Sequence, residues 1–360
     1  MEPYLLVYLI VVGFAFFISL KNRFSEILNP IFFTFIIAAF SSLFILRDFS
    51  IGIDTYTYAE IFSDVIKMSE FSSLISYAVI YSLEVGFILL VYLLGKIGGV
   101  YFIFTFFSIL IYLNYIFILN KIKINPVIYF MSFFSFYGVY LWSFNILRQM
   151  VAVSLVALGT VYLLENKNKF FFVLVFLASL IHYSALLCLI FYLVKRYFDI
   201  FYRFRYLFMF LIIFLSKVGL VLISSYYPRY DDYATESNVE SVSIALLLFY
   251  LVTYLLNDLF GKMIQQYSYY FKFLTVIFSF YIALQASFLI NGISNYGTTR
   301  IVIYFLWPSV LIWAIFFKNI KDSNFRFIVN ILFCIFMFSY WVWVLIKSGP
   351  DIIPFKYSFF

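Results

Sequence analysis

Apolar runs of helix-spanning length recur along the whole of this 360-residue chain, and that recurrence limits its fold more than any other feature. An α-helix needs about 20 residues to cross roughly 30 Å of hydrocarbon. Runs near that length predict helices at 4–20, 28–46, 101–119, 126–142, 146–164, 206–224, 241–257, 273–290, 301–317 and 327–346. Two stretches fit no simple span. Residues 84–98 form a short apolar segment ending in Gly95, Gly98 and Gly99, and residues 170–194 are interrupted by His182. Charged residues make up only 11% of the chain, whereas soluble domains carry roughly a quarter. The fold class that follows is all-α: a polytopic transmembrane bundle of about 10–12 helices, with short re-entrant or broken helices near 84–98 and 170–194. Residues 1–360 form one integral membrane domain with no water-soluble part. Met1–Leu20 lacks a basic leader and a small-residue cleavage site, so it is expected to be a retained helix. Cys188 and Cys334 sit inside apolar runs without metal-ligand spacing.

The positive-inside rule sets the orientation. With the amino terminus outside, the inner loops 21–26, 120–125, 165–169, 195–205, 258–272 and 318–326 hold 15 Lys/Arg and 5 Asp/Glu. The outer loops then hold 7 Lys/Arg and 12 Asp/Glu. This arrangement requires 84–98 to dip in from outside without crossing. It also requires 170–194 to be a helical hairpin bent near His182. Each arm of about 12 residues reaches about 18 Å, so the bend would lie below the outer surface. A straight helix through 170–194 would instead place Lys167 and Lys169 opposite Lys195. The outer segments include 47–83, with an interfacial helix, and a short loop at 225–240.

In this topology the polar residues gather on or just below the outer face: Arg47, Asp48, Asp54, Glu84, Arg148, Gln149, His182, Arg229 to Asp232, and Arg300. They come from separate segments, and an ionisable group near hydrocarbon costs about 2.5–3.5 kcal/mol on insertion scales, which marks a functional-site candidate. Plainer roles stand beside this one. Arg47 and Asp48 could end a helix and pair with each other, and Asp54 could close an Asx turn. Glu60, Asp64 and Glu70 suit the solvated face of an interfacial helix. Arg148 and Arg300 stay charged at any reachable pH and need an anion, which a lipid headgroup could also supply. His182, the sole histidine, could be a hydrogen-bonded packing residue. Tyr226, Tyr227, Tyr230 and Tyr233 are weak candidates for sugar stacking.

The chain has no phosphate-binding Gly-Lys-Ser/Thr loop, nucleophile elbow or zinc cluster, which excludes ATP-driven transport by this chain itself. Internal repeats of the secondary-transporter kind are not evident. The net charge of +7 follows from loop placement and does not point to nucleic acid.

One ordered set of motifs is more specific. It runs Arg47-Asp48 with Gly52-x-Asp54-x-Tyr56, Glu84-Val85-Gly86-Phe87, Asn145-x-x-Arg148-Gln149-x-x-Ala152, Ala178-x-x-x-His182-x-Ser184-Ala185, and Arg300. This set resembles the EpsG-like branch of bacterial exopolysaccharide and O-antigen (Wzy-type) polymerases, most closely over residues 30–200. The long basic periplasmic loop of larger Wzy proteins is missing, since 225–240 is short and acidic.

The resemblance implies a GT-C-like glycosyltransferase of the bacterial inner membrane with its active site toward the periplasm. Such enzymes transfer a nascent glycan from undecaprenyl diphosphate to the non-reducing end of an incoming lipid-linked unit. No cofactor is implied. The expected partners are the lipid-linked oligosaccharide and membrane lipid, with a chain-length co-polymerase as a further candidate. On this resemblance Arg148 and Arg300 would bind the diphosphate. His182 or Asp54 would be the catalytic base. Arg47, Asp48, Glu84 and Gln149 would bind or orient substrate. The alternatives are a flippase for the same lipid-linked units, or an O-antigen-ligase-like transferase. A flippase would need polar groups at mid-bilayer, where only Lys96 and Lys217 are candidates.

Overall fold

The computed structural model describes residues 2–19, 25–52, 54–135, 139–226, 241–261, 264–265, 267–292, 300, 302–347 and 355–357. Within these, residues 25–29, 217, 220, 223–226, 241–243, 245, 246 and 347 are described by backbone alone. The Arg229–Asp232 segment, Tyr227, Tyr230, Tyr233 and the 295–299 stretch lie outside the described residues, as do the side chains of Lys217 and Tyr226.

The apolar runs fold as helices because lipid offers the backbone no hydrogen-bond partner. In chain order these are α1 (Glu2–Ser19), α2 (Ser25–Leu46), α3 (Thr55–Lys67), α4 (Phe71–Ile80), α5 (Val85–Ile122), α6 (Pro126–Ser135), α7 (Leu147–Leu164), α8 (Asn168–Ile181), α9 (Ile190–Arg196), α10 (Phe198–Arg203), α11 (Arg205–Tyr226), α12 (Ser241–Phe260), α13 (Ser268–Ile290), α14 (Ser309–Lys318) and α15 (Ser323–Lys347). Short 3-10 turns occupy Leu141–Phe144, Tyr183–Leu189 and Ile303–Phe305. Among the described residues, five helices can by length and composition cross a bilayer: α1, α5, α7, α13 and α15. Shorter apolar helices accompany them, and the chain is an all-α, multi-pass membrane protein.

The chain divides into two compact units, Met1–Leu187 with Ile328–Phe360, and Cys188–Phe327. In the first, α7 is the central helix, with 94% of its spanning window buried. It packs between α5 and α8. Ala152, Ser154, Ala157 and Thr160 keep its surface slim, the composition that lets helices approach where lipid removes the hydrophobic drive to associate. Asn114 of α5 donates to the Ser154 hydroxyl across that contact at 3.0 Å. An aromatic cluster ties α1, α6 and α15 together: Tyr8 stacks on Trp341 at 4.5 Å and meets Phe134 at 4.8 Å.

Helix α5 is bent back on itself. Gly99 has φ 74° and ψ −166°, a conformation essentially restricted to glycine. The Phe87 and Phe107 rings lie 5.9 Å apart, whereas a straight helix would separate them by about 30 Å. The first arm, 85–98, spans about 21 Å and is too short to cross, and the second, 100–122, spans about 34 Å. The predicted break after 84–98 is therefore present, and its cause is a single glycine.

The break at His182 is also present. Helix α8 ends at Ile181, His182 is extended (φ −153°, ψ 112°), and a 3-10 turn follows, which excludes one straight helix through 170–194. Lys121 reaches Glu165 at 2.8 Å and Lys167 reaches the same carboxylate at 3.0 Å, so the 120–125 and 165–169 loops share one end of the bundle. The 47–83 segment carries α3 and α4, with Glu60, Asp64 and Glu70 exposed.

Two predicted spans are corrected. In place of one 126–142 helix, the described residues show a helix at Pro126–Ser135 and a separate 3-10 turn at Leu141–Phe144. The 301–317 helix is divided into the Ile303–Phe305 turn and α14, with Pro308 as the N-cap residue; proline has no backbone N–H to donate to a preceding turn. Lys96 is exposed near the bend of α5, its ammonium 5.1 Å from the Tyr92 ring centroid.

In the second unit, α13 is the hub that α10, α11, α12 and α14 pack against. Arg205 at the start of α11 pairs with Asp258 near the end of α12 at 2.9 Å.

Candidate active site

The turn leaving α4 uses Ser82 at φ 50° and closes with the Leu83 amide on the Ala78 carbonyl at 2.7 Å. This turn sets Glu84 as the N-cap residue of α5, yet its carboxylate makes no capping bond. The side chain points instead between α7 and α8. There, Oε2 accepts from Arg148 Nη1 at 2.5 Å. Oε1 accepts from His182 Nδ1 at 3.0 Å and from the Tyr183 amide at 3.0 Å. One carboxylate, 2% exposed, therefore joins residues from three helices.

Local sequence explains each arm. Gly86 allows α8 to come close: a Cβ there would lie 2.8 Å from both the Leu180 Cβ and its carbonyl oxygen. Phe87 lies beneath the Arg148 guanidinium, 5.1 Å from Cζ to ring centroid. Because α8 ends at Ile181, the His182 amide bonds back to the Ala178 carbonyl at 2.8 Å, while the extended backbone turns the imidazole toward Glu84.

Arg148 is the second residue of α7 and is almost fully buried. Its guanidinium carbon lies 6.0 Å from the Tyr58 ring centroid, and the Asp54 carboxylate is near enough to act on its charge. Asp54 and Tyr58 are four residues apart and share one face of α3. The structure therefore brings Asp54, Glu84, Arg148 and His182 together, with Gln149 buried beside them in sequence. Arg148 lies 17 residues from Glu165, about 25 Å along α7 from the lysine-bearing end of the bundle.

Matching this chain against protein-family models returns the EpsG family over residues 30–357. The chain belongs to the EpsG family. No curated protein and no solved structure matches it.

The other predicted residues of this EpsG-family chain take different positions. Arg47 and Asp48 do not pair with each other. The Arg47 guanidinium, 1% exposed, donates from Nη1 to the Phe144 carbonyl at 2.9 Å. The rings of Phe44, Phe144 and Phe104 surround it at 4.6, 5.2 and 5.4 Å. Aromatic faces attract a desolvated cation by about 2 kcal/mol, which offsets part of the cost of burial. Asp48 points away into a turn, where the Ser50 hydroxyl and amide hold its carboxyl below the usual carboxylate range. Its amide donates to the Lys356 carbonyl, and Arg47 forms an antiparallel bridge with Tyr357. Arg300 belongs to the second unit, just ahead of the Ile303–Phe305 turn, and is partly buried there.

Sequence reasoning missed Tyr58, Thr55 and the Phe144 carbonyl. The i, i+4 spacing from Asp54 could have indicated Tyr58. A backbone carbonyl leaves no mark in a sequence.

The arrangement has a definite chemical capacity. A carboxylate that accepts from Nδ1 fixes the neutral imidazole with its lone pair on Nε2, the form that accepts a proton. The same carboxylate neutralises Arg148, so that pair alone offers little net charge to a polyanion.

Proposed function

We propose that this chain is a polysaccharide polymerase of the exopolysaccharide and O-antigen type, with His182 as general base and Glu84 as the residue that orients it. The observation that carries this reading is the single buried carboxylate of Glu84, shared between His182 Nδ1 and Arg148. EpsG family membership supports it independently.

In the proposed step, the non-reducing-end hydroxyl of an incoming lipid-linked unit attacks C1 of the nascent glycan. Its O–H proton passes to His182 Nε2 as the new C1–O bond forms. The bond from C1 to the lipid diphosphate breaks, and the diphosphate leaves with the bonding electrons. Glu84 keeps the imidazole in the accepting tautomer and stabilises the imidazolium that forms. Arg148, already paired with Glu84, is proposed to orient a phosphate oxygen through its remaining N–H groups and not to supply net charge. Arg300, in the second unit, is proposed to bind phosphate. Asp54 is assigned to sugar hydroxyls, because His182 is the group whose proton-accepting nitrogen is fixed by a partner. Undecaprenyl diphosphate as the carrier, the periplasmic side of the inner membrane and a chain-length co-polymerase belong to the same proposal.

The test is complementation of a deletion strain at matched membrane levels, with extracted glycans separated on a gel. The deletion should leave a single repeat unit where wild type gives a ladder. His182→Ala should lower polymer yield by about 10²–10⁴-fold, the range of general-base catalysis. Arg148→Ala and Arg300→Ala should also fail to restore the ladder. A deletion strain with an unchanged ladder would refute the polymerase assignment, and lipid-linked units trapped on the inner leaflet would point to flipping instead.

A further inference from the structure

Three features of the 47–55 segment converge on one peptide group. Arg47 Nη1 donates to the Phe144 carbonyl oxygen at 2.9 Å, and Thr55 Oγ1 donates to the same oxygen at 3.1 Å. Gly52, at φ 89°, passes so close that a Cβ would lie 2.7 Å from both that oxygen and Asn145 Oδ1. Thr55 Oγ1 also donates to the Ile51 carbonyl at 2.7 Å, so its single hydroxyl hydrogen is shared between the two oxygens, the nearer being Ile51.

The peptide they hold has a strategic position. Leu141–Phe144 is a 3-10 turn, and the Asn145 and Ile146 amides bond back to the Trp142 carbonyl. Helix α7 starts at Leu147, and the Met150 amide bonds to the Ile146 carbonyl. The Phe144 carbonyl is therefore an anchor four residues ahead of Arg148. A shift of this turn by a fraction of an ångström carries the start of α7 with it, and with it the guanidinium that Glu84 shares with His182.

We infer that Arg47 is a positioning residue that, with Thr55 and Gly52, clamps the Phe144–Asn145 turn and so sets Arg148 against Glu84 and His182. Its guanidinium is enclosed by three phenylalanine rings and 1% exposed, with Tyr357 bridged to its backbone. A group so enclosed is a poor candidate for direct contact with sugar or phosphate. On this inference Arg47 positions the turn, a role different from the substrate binding expected of it. The clamp also gives Arg47, Gly52 and Thr55 a shared role that their sequence spacing alone does not reveal. The catalytic consequence rests on the polymerase reading, whereas the clamp itself does not.

The test therefore has two readouts on full-length protein purified in detergent. The first is hydrogen–deuterium exchange of the backbone 140–150, with 154–164 as the internal control. The second is polymer formation in the complementation strain. Arg47→Met and Thr55→Val should each speed exchange in 140–150 at least tenfold, leave 154–164 unchanged, and lower polymer yield. Thr55→Ser, which keeps the hydroxyl, should restore both. Thr55→Val removes one methyl-sized polar contact, so it keeps the test decisive where Arg47→Met fails to accumulate. Unchanged exchange with lost polymer would overturn the clamp and return Arg47 to substrate binding. Faster exchange with full polymer yield would overturn the link to the site. A wild-type protein that makes no polymer would refute the polymerase reading alone, because the exchange arm would still report on the clamp.

Discussion

Glu84 shows how much a single side chain can organise when it is placed out of water. Its carboxylate has a guanidinium on one oxygen and an imidazole plus an amide on the other. Removing one partner of a buried pair leaves the other charge uncompensated, at a cost of about 3–5 kcal/mol. Arg148→Met and Glu84→Gln should therefore each destabilise the protein substantially. The double variant should lose less than the sum of the two, because neither charge is then stranded. Thermal unfolding of the four proteins in one detergent measures this coupling, and strict additivity would show that the pair is not a unit. Asp48 and Arg47 make the opposite point. They are neighbours in sequence, yet one faces a polar turn and the other an aromatic enclosure, so adjacency gave no guide to pairing.

At the scale of elements, two glycines shape the site by different physics. Gly99 bends α5 through a backbone conformation that other residues resist, with open space around it. Gly86 is needed for contact, because α8 presses against its missing side chain. Gly99→Ala should cost about 1–3 kcal/mol as backbone strain, with the Glu84–His182 bond intact. Gly86→Ala should cost a similar amount as overpacking, and it should also push α8 away and loosen that bond. Polymer yield should accordingly fall further in Gly86→Ala than in Gly99→Ala at equal membrane levels; the reverse order would show that the bend matters more than the α5–α8 contact. The break at His182 was legible in the sequence as one polar residue within a long apolar run. The divided 301–317 segment was less so, because hydropathy averages over Pro308 and records only that the stretch is apolar.

For the whole molecule, the clasp of Lys121, Glu165 and Lys167 marks one end of the first unit, and Arg148 lies about 25 Å away from it along α7. The orientation expected from the loop charges predicts that a cysteine at Lys169 reacts with an impermeant maleimide only from the cytoplasmic side. A cysteine at Ser69, between α3 and α4, should react only from outside. The opposite labelling would invert the topology and move the proposed chemistry to the cytoplasmic face. Sequence alone determined that the chain is helical and membrane-embedded, since apolar length and scarcity of charge are additive properties of composition and order. It also singled out Glu84, Arg148 and His182 as candidates, because ionisable groups in apolar surroundings are few and costly. Tertiary structure alone decided the partnerships: that Glu84 meets His182 and Arg148 together, and that Arg47 donates to a backbone carbonyl. Those depend on which faces of separate helices meet, and in lipid that is set by close packing and paired polar groups, terms that belong to pairs of segments and to no one stretch of sequence.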